Sequence, residues 1–331
     1  MPILSRSVLV RAALAGGVAA LLATGCGTLA EKERELTFRV VKGDAGWYSG
    51  TPSAVQEVYI PVSEAAGAQR IHAWWWPNAD PEAPVVYYLH GVRWNLTGHL
   101  NRMSQLRRFG FSVFAIDYRG FGKSDGELPS EATVYEDARV AWQWLVEREP
   151  NASRRFIYGH SLGGAVAIDL AAQLADGPAS ARGLIVESSF TSIPELVSDS
   201  GYGFLPWQLL ISQKFDSIAK IQQIRMPVLI VHGEEDRYVP AHLSSALYAA
   251  APQPKKLLLV PNGTHNNSVF AGDADYRGAL RELFGPFSSL PTQGAARAEM
   301  FQRASTGPAV NRRQGPGVLD QRAAEGEAIR D

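Results

Sequence analysis

Six short, largely apolar segments recur along the middle of the chain, and they constrain its fold more than any other feature. Strands that are buried on both faces have this continuous apolar pattern, which is typical of parallel sheets covered by helices. Helix-length segments such as 132–148 and 162–175 lie between most of them. The alternation predicts a mostly parallel sheet with helices on both faces. The six segments are PVVYYLHG (84–91), FSVFAIDYRG (111–120), RRFIYGHS (154–161), RGLIVESS (182–189), MPVLIVHG (226–233) and KKLLLVPN (255–262).

Two further strand-like segments precede these six. VQEVYIPV (55–62) and QRIHAWWWP (69–77) are separated by a turn that contains glycine, so they predict a β-hairpin. The sheet should therefore have eight strands, within one domain that spans 54–287. Residues 189–225 exceed the length of one crossover helix and are rich in aromatic side chains. We expect a short cap over the open end of the sheet, with a single packed crossover helix as the alternative.

The N-terminal segment, residues 1–26, has the features of an export signal. Arg6 and Arg11 precede an apolar stretch (12–25) that is too short for a comfortable membrane span. The tetrapeptide Ala-Thr-Gly-Cys at 23–26 resembles the bacterial lipobox, in which the cysteine is diacylated. We therefore expect Cys26 to anchor the protein to a membrane. The alternatives are an ordinary signal peptide, or a membrane-anchoring helix, with an incidental cysteine.

The flanking segments complete the predicted organisation. Residues 27–53 have too little periodicity for a domain and are interpreted as a connector. Residues 288–331 are rich in glycine, proline, alanine and charge, which predicts a disordered tail. We expect a location on the periplasmic side of the cell envelope. Since Gly27, not aspartate, follows the predicted lipidation site, resemblance to lipoprotein sorting favours the outer membrane.

Charge and cysteine content exclude several classes of function. The net charge is −1 and the runs of lysine and arginine are short, so the chain does not have the basic surface of a nucleic-acid-binding protein. Its single cysteine allows neither an internal disulfide nor a multi-cysteine metal site. We predict no cofactor and no metal.

The segment FIYGHSLGGA (156–165) contains the first candidate catalytic residue, Ser161. It matches the pattern G-x-S-x-G and stands between a predicted strand and a predicted helix, the context that this motif requires. A serine at such a sharp turn needs small neighbours two positions away, and Gly159 and Gly163 occupy those positions. We predict that Ser161 is a nucleophile.

A serine hydroxyl needs a base, and the base needs an orienting group. Asp236 follows the strand MPVLIVHG, and His265 follows the strand KKLLLVPN. The three residues are thus expected at the carboxyl ends of three strands, where open α/β sheets bind ligands. Glu234 and Glu235 are the rival carboxylates. We predict a Ser161, Asp236 and His265 triad, in the order Ser, Asp, His.

Backbone amides are expected to stabilise the oxyanion of the reaction. The Leu162 amide lies at a helix N-terminus directly after the nucleophile. The second donor should come from the loop after PVVYYLHG, where Val92 follows His-Gly. Arg93 and Trp94 could shape the pocket rim or could belong to a solvated loop.

Several motifs together resemble the α/β-hydrolase superfamily, in the serine-aminopeptidase-like branch that also contains monoacylglycerol-lipase-like enzymes. The resemblance covers about 54–287 and implies a serine-esterase triad at the positions given above. Within DYRGFGKSDG, residues Asp117, Arg119 and Ser124 are expected to be structural. The chain departs from the branch at Val92-Arg93-Trp94, where a Gly-Asn-rich loop is common. The motifs are LHG, IDYRGFGKSDG, YGHSLGGAVA, FDSIAKIQQIRMPVLIVHGEEDRYVP and NGTHNN.

These observations predict a hydrolase that transfers an acyl group to water, with a small-molecule ester or monoacyl lipid as substrate. A peptidase, a thioesterase and an enzyme that transfers the acyl group to another acceptor remain alternatives. A non-catalytic, membrane-tethered binding module is the alternative from a different class.

Overall fold

An eight-stranded sheet forms the centre of the fold in a computed structural model that describes residues 28–174, 176–202 and 204–286. The strands are β1 Gln56–Pro61, β2 Arg70–Trp76, β3 Val85–Leu89, β4 Ser112–Ile116, β5 Arg155–His160, β6 Gly183–Glu187, β7 Val228–Gly233 and β8 Lys255–Val260. Their order in the sheet is β1-β2-β4-β3-β5-β6-β7-β8. β1 pairs with β2, and β2 with β4, in antiparallel orientation, whereas all later pairs are parallel. The predicted hairpin and mostly parallel sheet are therefore confirmed.

Helices cover both faces of this sheet. The main helices are α1 (28–38), α2 Leu96–Arg108, α3 Glu131–Arg148, α4 Leu162–Gln173, α8 Ala241–Ala250, α9 Ser268–Ala271 and α10 Asp273–Phe284. Side chains alternate between the faces along each strand: Tyr87 packs into one core and Tyr88 into the other. One core contains buried residues of α3, α4 and α8, and the second contains residues of α2 and α10. Both faces are thus buried, which explains the continuous apolar strands.

The register of the parallel strands aligns their carboxyl ends. Leu89 of β3 pairs with Gly159 of β5, and His160 of β5 pairs with Glu187 of β6. The loops that follow these strands therefore start at one edge of the sheet. This edge contains the predicted site.

Short helices occupy the long segment between β6 and β7. They are α5 Ile193–Val197, with an irregular turn over Ser198–Tyr202, α6 Trp207–Leu210 and α7 Ser217–Ile221. Phe190 and Phe215 are buried in the core, but Phe204, Leu209 and Leu210 are 79%, 84% and 59% exposed. Phe190 and Phe215 thus pack the domain. The other three side chains form an apolar outer surface. We call the whole segment, residues 189–225, the cap.

The connector contacts this cap. The Glu33 carboxylate of α1 accepts hydrogen bonds from the Ser212 amide and hydroxyl and from the Gln213 amide, each at 2.7 Å. Phe38, at the end of α1, is fully buried and its ring lies 6.0 Å from that of Phe215. Helix α1 is therefore part of the surface around the cap.

The described helices are each too short or too polar to cross a membrane. The predicted lipidation site, Cys26, lies outside the described residues, as does the predicted tail 288–331.

Candidate active site

Ser161 stands at a sharp turn between β5 and α4. Its φ of 56° and ψ of −123° place a non-glycine residue in a region that is rarely occupied outside functional sites. Three hydrogen bonds hold this backbone, each at 2.9 Å. The Ser161 amide donates to the Glu187 carbonyl, and the Ser161 carbonyl accepts from the Ser189 hydroxyl and the Gly164 amide. Ser161 is buried at this turn, with 8% of the residue exposed.

The glycines on either side of Ser161 are required by close backbone packing. A Cβ atom at Gly163 would lie 2.1 Å from the Leu89 carbonyl oxygen, and one at Gly159 would lie 2.1 Å from the Gly163 carbonyl oxygen. Neither distance is possible without moving the backbone. The sequence pattern therefore reflects the contact between α4 and the ends of β3 and β5.

Asp236 lies in the loop after β7, and its side chain is fully buried. Oδ1 accepts hydrogen bonds from the Tyr238 and Val239 amides at 2.9 Å, and Oδ2 lies 2.7 Å from Nδ1 of His265. Burial alone would raise the pKa of Asp236, but hydrogen bonds from His232, His265 and the Val239 amide outweigh it and hold the pKa well below its usual range. The carboxylate is thus ionised and held in one orientation.

The rival carboxylates are arranged differently. Glu234 and Glu235 are exposed. The Glu234 amide donates to the Val260 carbonyl at the end of β8, and the Glu235 amide donates to the Gly263 carbonyl in the loop that follows. His232 is fully buried and braces the Asp236 loop: Nε2 lies 2.8 Å from the Val239 carbonyl and 3.2 Å from Asp236 Oδ2. The geometry favours Asp236 as the partner of the histidine.

His265 lies in the turn between β8 and α9, with 13% of its side chain exposed. Because an ionised carboxylate only accepts hydrogen bonds, Nδ1 carries the proton and Nε2 is available as a base. His160, which precedes the candidate nucleophile, places Nε2 2.8 Å from the His265 carbonyl oxygen, and the two rings lie 4.9 Å apart. The structure therefore brings Ser161, Asp236 and His265 to the same edge of the sheet.

The loop after β3 lies against the candidate nucleophile. A Cβ atom at Gly91 would lie 3.2 Å from that of Ser161. Arg93 adopts φ of 82°, and its amide donates to the Phe38 carbonyl of α1 at 3.0 Å. Within the described ranges, the amides of Val92 and Leu162 donate to no other protein group. No acceptor among the described residues therefore competes with the oxyanion that these two amides are predicted to bind.

Buried histidines surround this site without taking the position of a base. Burial lowers the pKa of His90, and it holds that of His160 well below the usual range. His90 Nδ1 lies 2.6 Å from the Gly91 carbonyl, so this ring braces its own loop. Both side chains should be neutral at pH 7.

The DYRGFGKSDG segment has a structural role, as expected. Asp117 accepts hydrogen bonds from the Leu96 amide at 2.8 Å and from His72 Nδ1 at 3.0 Å. The Ser124 hydroxyl donates to the Asp117 carbonyl at 2.6 Å, and Arg119 forms ion pairs with two carboxylates of α3. These contacts fix the loop behind the candidate site.

Sequence reasoning missed Arg102 and Glu187. Arg102 lies on α2 and is only 5% exposed, and it forms an ion pair with the fully buried Glu187 at the end of β6. The available signal was a carboxylate that ends an apolar strand, which in the sequence looks like an ordinary strand end. Across the described ranges, His, Cys, Asp and Glu side chains do not form a group of three or more that could hold a metal ion.

Comparison with known sequences gives matches over most of the domain. Residues 80–220 match a family described as serine aminopeptidase, S33. An uncharacterized protein of Mycobacterium tuberculosis is 33% identical over 253 residues, which are 76% of this chain and 86% of that protein. The lysophosphatidylserine lipase ABHD12 of Danio rerio is 35% identical over 213 residues, 60% of this chain and 55% of that protein.

Comparison with solved structures supports the fold. The Pyrococcus furiosus esterase Pf2001 superposes with a TM-score of 0.59 at 18% identity, covering 75% of this chain and 98% of that one. At this identity the likeness concerns the arrangement of strands and helices.

Proposed function

The chain belongs to the α/β-hydrolase superfamily and is a hydrolase, and on this basis we propose that it cleaves carboxylic esters through an acyl-enzyme formed on Ser161. One observation carries the proposal: His265 Nδ1 lies 2.7 Å from a buried carboxylate, at the sheet edge where Ser161 occupies a strained turn. Base, orienting group and nucleophile are thus provided by three separate loops.

In the proposed acylation, Ser161 Oγ attacks the ester carbonyl carbon while His265 Nε2 accepts the hydroxyl proton. Asp236 stabilises the imidazolium through Nδ1. The amides of Val92 and Leu162 donate to the oxyanion, and loss of one such donor typically lowers kcat roughly a hundred- to thousandfold. The imidazolium then gives its proton to the alcohol, which leaves as the C–O bond breaks.

Deacylation repeats these steps with water. His265 Nε2 accepts a proton as water attacks the acyl carbon, and the same amides hold the second oxyanion. Collapse releases the carboxylic acid and returns the proton to Ser161. The same acyl-enzyme could react with another acceptor, and only the acceptor would differ.

Within this class we propose an ester with an apolar acyl chain, or a monoacyl lipid, as substrate. The apolar outer surface of the cap at Phe204, Leu209 and Leu210 supports this choice, since such surfaces are typical of lipid or partner contact. The relative of Danio rerio named above is a lysophosphatidylserine lipase. The net charge of the chain is −1, which gives no reason to expect a highly charged substrate.

We further propose attachment to a cell-envelope membrane through lipidated Cys26, with the outer membrane favoured. The short distance in sequence from Cys26 to helix α1, which contacts the cap, supports this arrangement because it would hold the cap near the lipid. Metabolic labelling with a palmitate analogue should label the wild type but not Cys26→Ser. An unlabelled wild type would refute this attachment.

A fluorophosphonate probe tests the proposed nucleophile. The wild type should be labelled and Ser161→Ala should not. Ser153→Ala is a matched control, because Ser153 is exposed and precedes β5 at the opposite end of the strand from Ser161. Absence of labelling and turnover in the wild type would favour the non-catalytic binding module.

A substrate panel tests the acyl and leaving groups. p-Nitrophenyl esters of increasing chain length should be cleaved faster than aminoacyl anilides and thioesters. Preference for an anilide would instead favour a peptidase, and preference for a thioester would favour a thioesterase.

A further inference from the structure

Glu187 is bonded directly to the Ser161 turn and, through Arg102, to the loop that contains His265. Its backbone carbonyl accepts the hydrogen bond of the Ser161 amide at 2.9 Å. Its carboxylate is fully buried and forms an ion pair with Arg102 of α2. Glu187, at the end of β6, is therefore bonded both to the turn that contains Ser161 and to the guanidinium of Arg102.

Two tyrosine hydroxyls hold the carboxylate in place. Tyr158 donates to Glu187 Oε2 at 2.6 Å, and Tyr276 lies 3.2 Å from the same atom. Burial raises the pKa of both tyrosines well above the usual range, so they remain donors. With Arg102 on Oε1, each carboxylate oxygen is occupied.

Arg102 extends this network to the histidine loop. While Nη1 contacts Glu187, Nη2 donates to the Asn266 carbonyl at 2.9 Å and lies 3.5 Å from the His265 carbonyl. The planar guanidinium can reach both sides because its donors form a rigid fork. His160 Nε2, at 2.8 Å from the His265 carbonyl, adds a second contact from the strand next to β6.

The histidine loop needs such support. His265 lies in a turn, outside helices and strands, and its side chain contacts Asp236 on a second loop. A misplacement of about 1 Å at a catalytic group can lower the rate roughly a hundredfold. We propose that Arg102, held by Glu187, is a positioning residue that fixes the His265 backbone relative to Ser161.

The ion pair is better explained by positioning than by stability. Removing two charges from water costs about as much as their attraction returns, so a buried pair can often be replaced by apolar residues without loss of stability. What apolar residues could not replace is the hydrogen bond from Arg102 to the Asn266 carbonyl.

The test rests on the proposed function, and Arg102→Lys is its first variant. Lysine keeps a cation beside Glu187 but loses the fork that reaches Asn266. We expect kcat for a p-nitrophenyl ester to fall roughly ten- to hundredfold with KM changed less than about twofold. The pH profile of kcat should also move, and the melting temperature should stay near that of the wild type.

Arg107→Lys is the matched control on the same helix. Arg107 donates to the Pro77 carbonyl at 2.7 Å, at the connection after β2, and its guanidinium lies over Trp76. This variant should retain the wild-type kcat and pH profile. An equal loss in both variants would overturn the proposal, since it would mean that any change in α2 lowers activity.

A double variant covers the case in which Arg102→Lys does not fold. Arg102→Met combined with Glu187→Gln removes both charges and leaves an acceptor for the two tyrosines, so no buried charge is orphaned. A folded double variant should show the same fall in kcat. Wild-type kcat and pH profile in either folded variant would overturn the positioning role.

Fluorophosphonate labelling separates the two proposals. If the wild type is not labelled, the proposed function fails and the positioning role fails with it. If the wild type is labelled and folded Arg102 variants are labelled at the same rate, only the positioning role fails. A rate reduced roughly ten- to hundredfold in those variants supports it.

Discussion

Oδ2 of Asp236 accepts a hydrogen bond from Nδ1 of His265 at 2.7 Å, across two loops that are 29 residues apart in the sequence. This contact decides which imidazole nitrogen is protonated, because the carboxylate can only accept. It leaves Nε2 with a free electron pair. The expected activity depends first on this orientation and then on the packing around it.

Replacing Asp236 with asparagine should remove the orientation while nearly preserving volume. The amide can present an N–H to Nδ1, which would move the imidazole proton to Nε2 and block the base. We expect kcat to fall roughly a thousand- to ten-thousandfold. Steady-state hydrolysis of a p-nitrophenyl ester measures it, with exposed Glu235→Gln as the control. A kcat within about tenfold of wild type would exclude Asp236 as the orienting group.

The rate should fall at acid pH because the base becomes protonated. Burial acts to raise the pKa of Asp236, but its hydrogen bonds hold the pKa well below the usual range, so this carboxylate stays ionised and does not contribute to the fall. We expect one proton to account for the acid limb, with kcat/KM falling about tenfold per pH unit there. A rate that stays flat well below pH 5 would contradict a histidine base.

Stability should also depend on pH, through histidines that do not react. Burial lowers the pKa of His90 and of His160, so below about pH 6.5 the unfolded chain binds more protons than the folded chain. The contribution of these two histidines to the free energy of unfolding is therefore fully present above that pH. It is lost as the pH falls through the unfolded-state pKa. Each group contributes up to about 1.4 kcal/mol per pH unit.

Urea unfolding at pH 7.5 and 5.5 checks this expectation. The free energy of unfolding should be smaller at pH 5.5, and His90→Gln should reduce the difference. His242→Gln should leave it unchanged, since that side chain is 64% exposed. Equal free energies of unfolding at the two pH values would show that the buried imidazoles do not control acid stability.

Alanine at Gly163 should damage both the turn and the fold. The added Cβ would lie 2.1 Å from the Leu89 carbonyl oxygen, so strand β3 or helix α4 must move. We expect a loss of about 1–3 kcal/mol in stability and a large fall in labelling by the probe.

Gly278→Ala is the control for that substitution. Nothing lies within 4 Å of a Cβ at this position on α10, so alanine should stabilise the helix by about 0.5–1 kcal/mol. Thermal unfolding of the two variants measures the contrast. A Gly163→Ala protein as stable and active as the wild type would mean that the turn is looser than described.

Much of the site could be predicted because parallel strands begin their loops at one edge of the sheet. Ser161, Asp236 and His265 each follow an apolar strand, so predicting the sheet also predicted that they would converge. The triad remains a prediction, although the geometry favours it over Glu234 and Glu235. The cap over the open end of the sheet also stays a prediction, and within residues 189–225 the sequence could not distinguish the residues that face outwards from those that pack inwards.

Contacts made by side chains far apart in the sequence could not be predicted. Nothing near Glu33 indicates that helix α1 bonds to Ser212, because that contact depends on where the cap lies. Arg102 and Glu187 are 85 residues apart and look like ordinary helix and strand-end charges until folding buries them together.

The sequence by itself determined the sheet, the strained serine turn and the order of the reactive residues. These features follow from local periodicity and from the small residues that a sharp turn requires. Only the tertiary structure decided that Asp236 is the carboxylate beside His265, and that Glu187 links the Ser161 turn to the histidine loop through Arg102. Such contacts depend on distances of a few ångströms between distant segments, which are set by packing and not by local pattern.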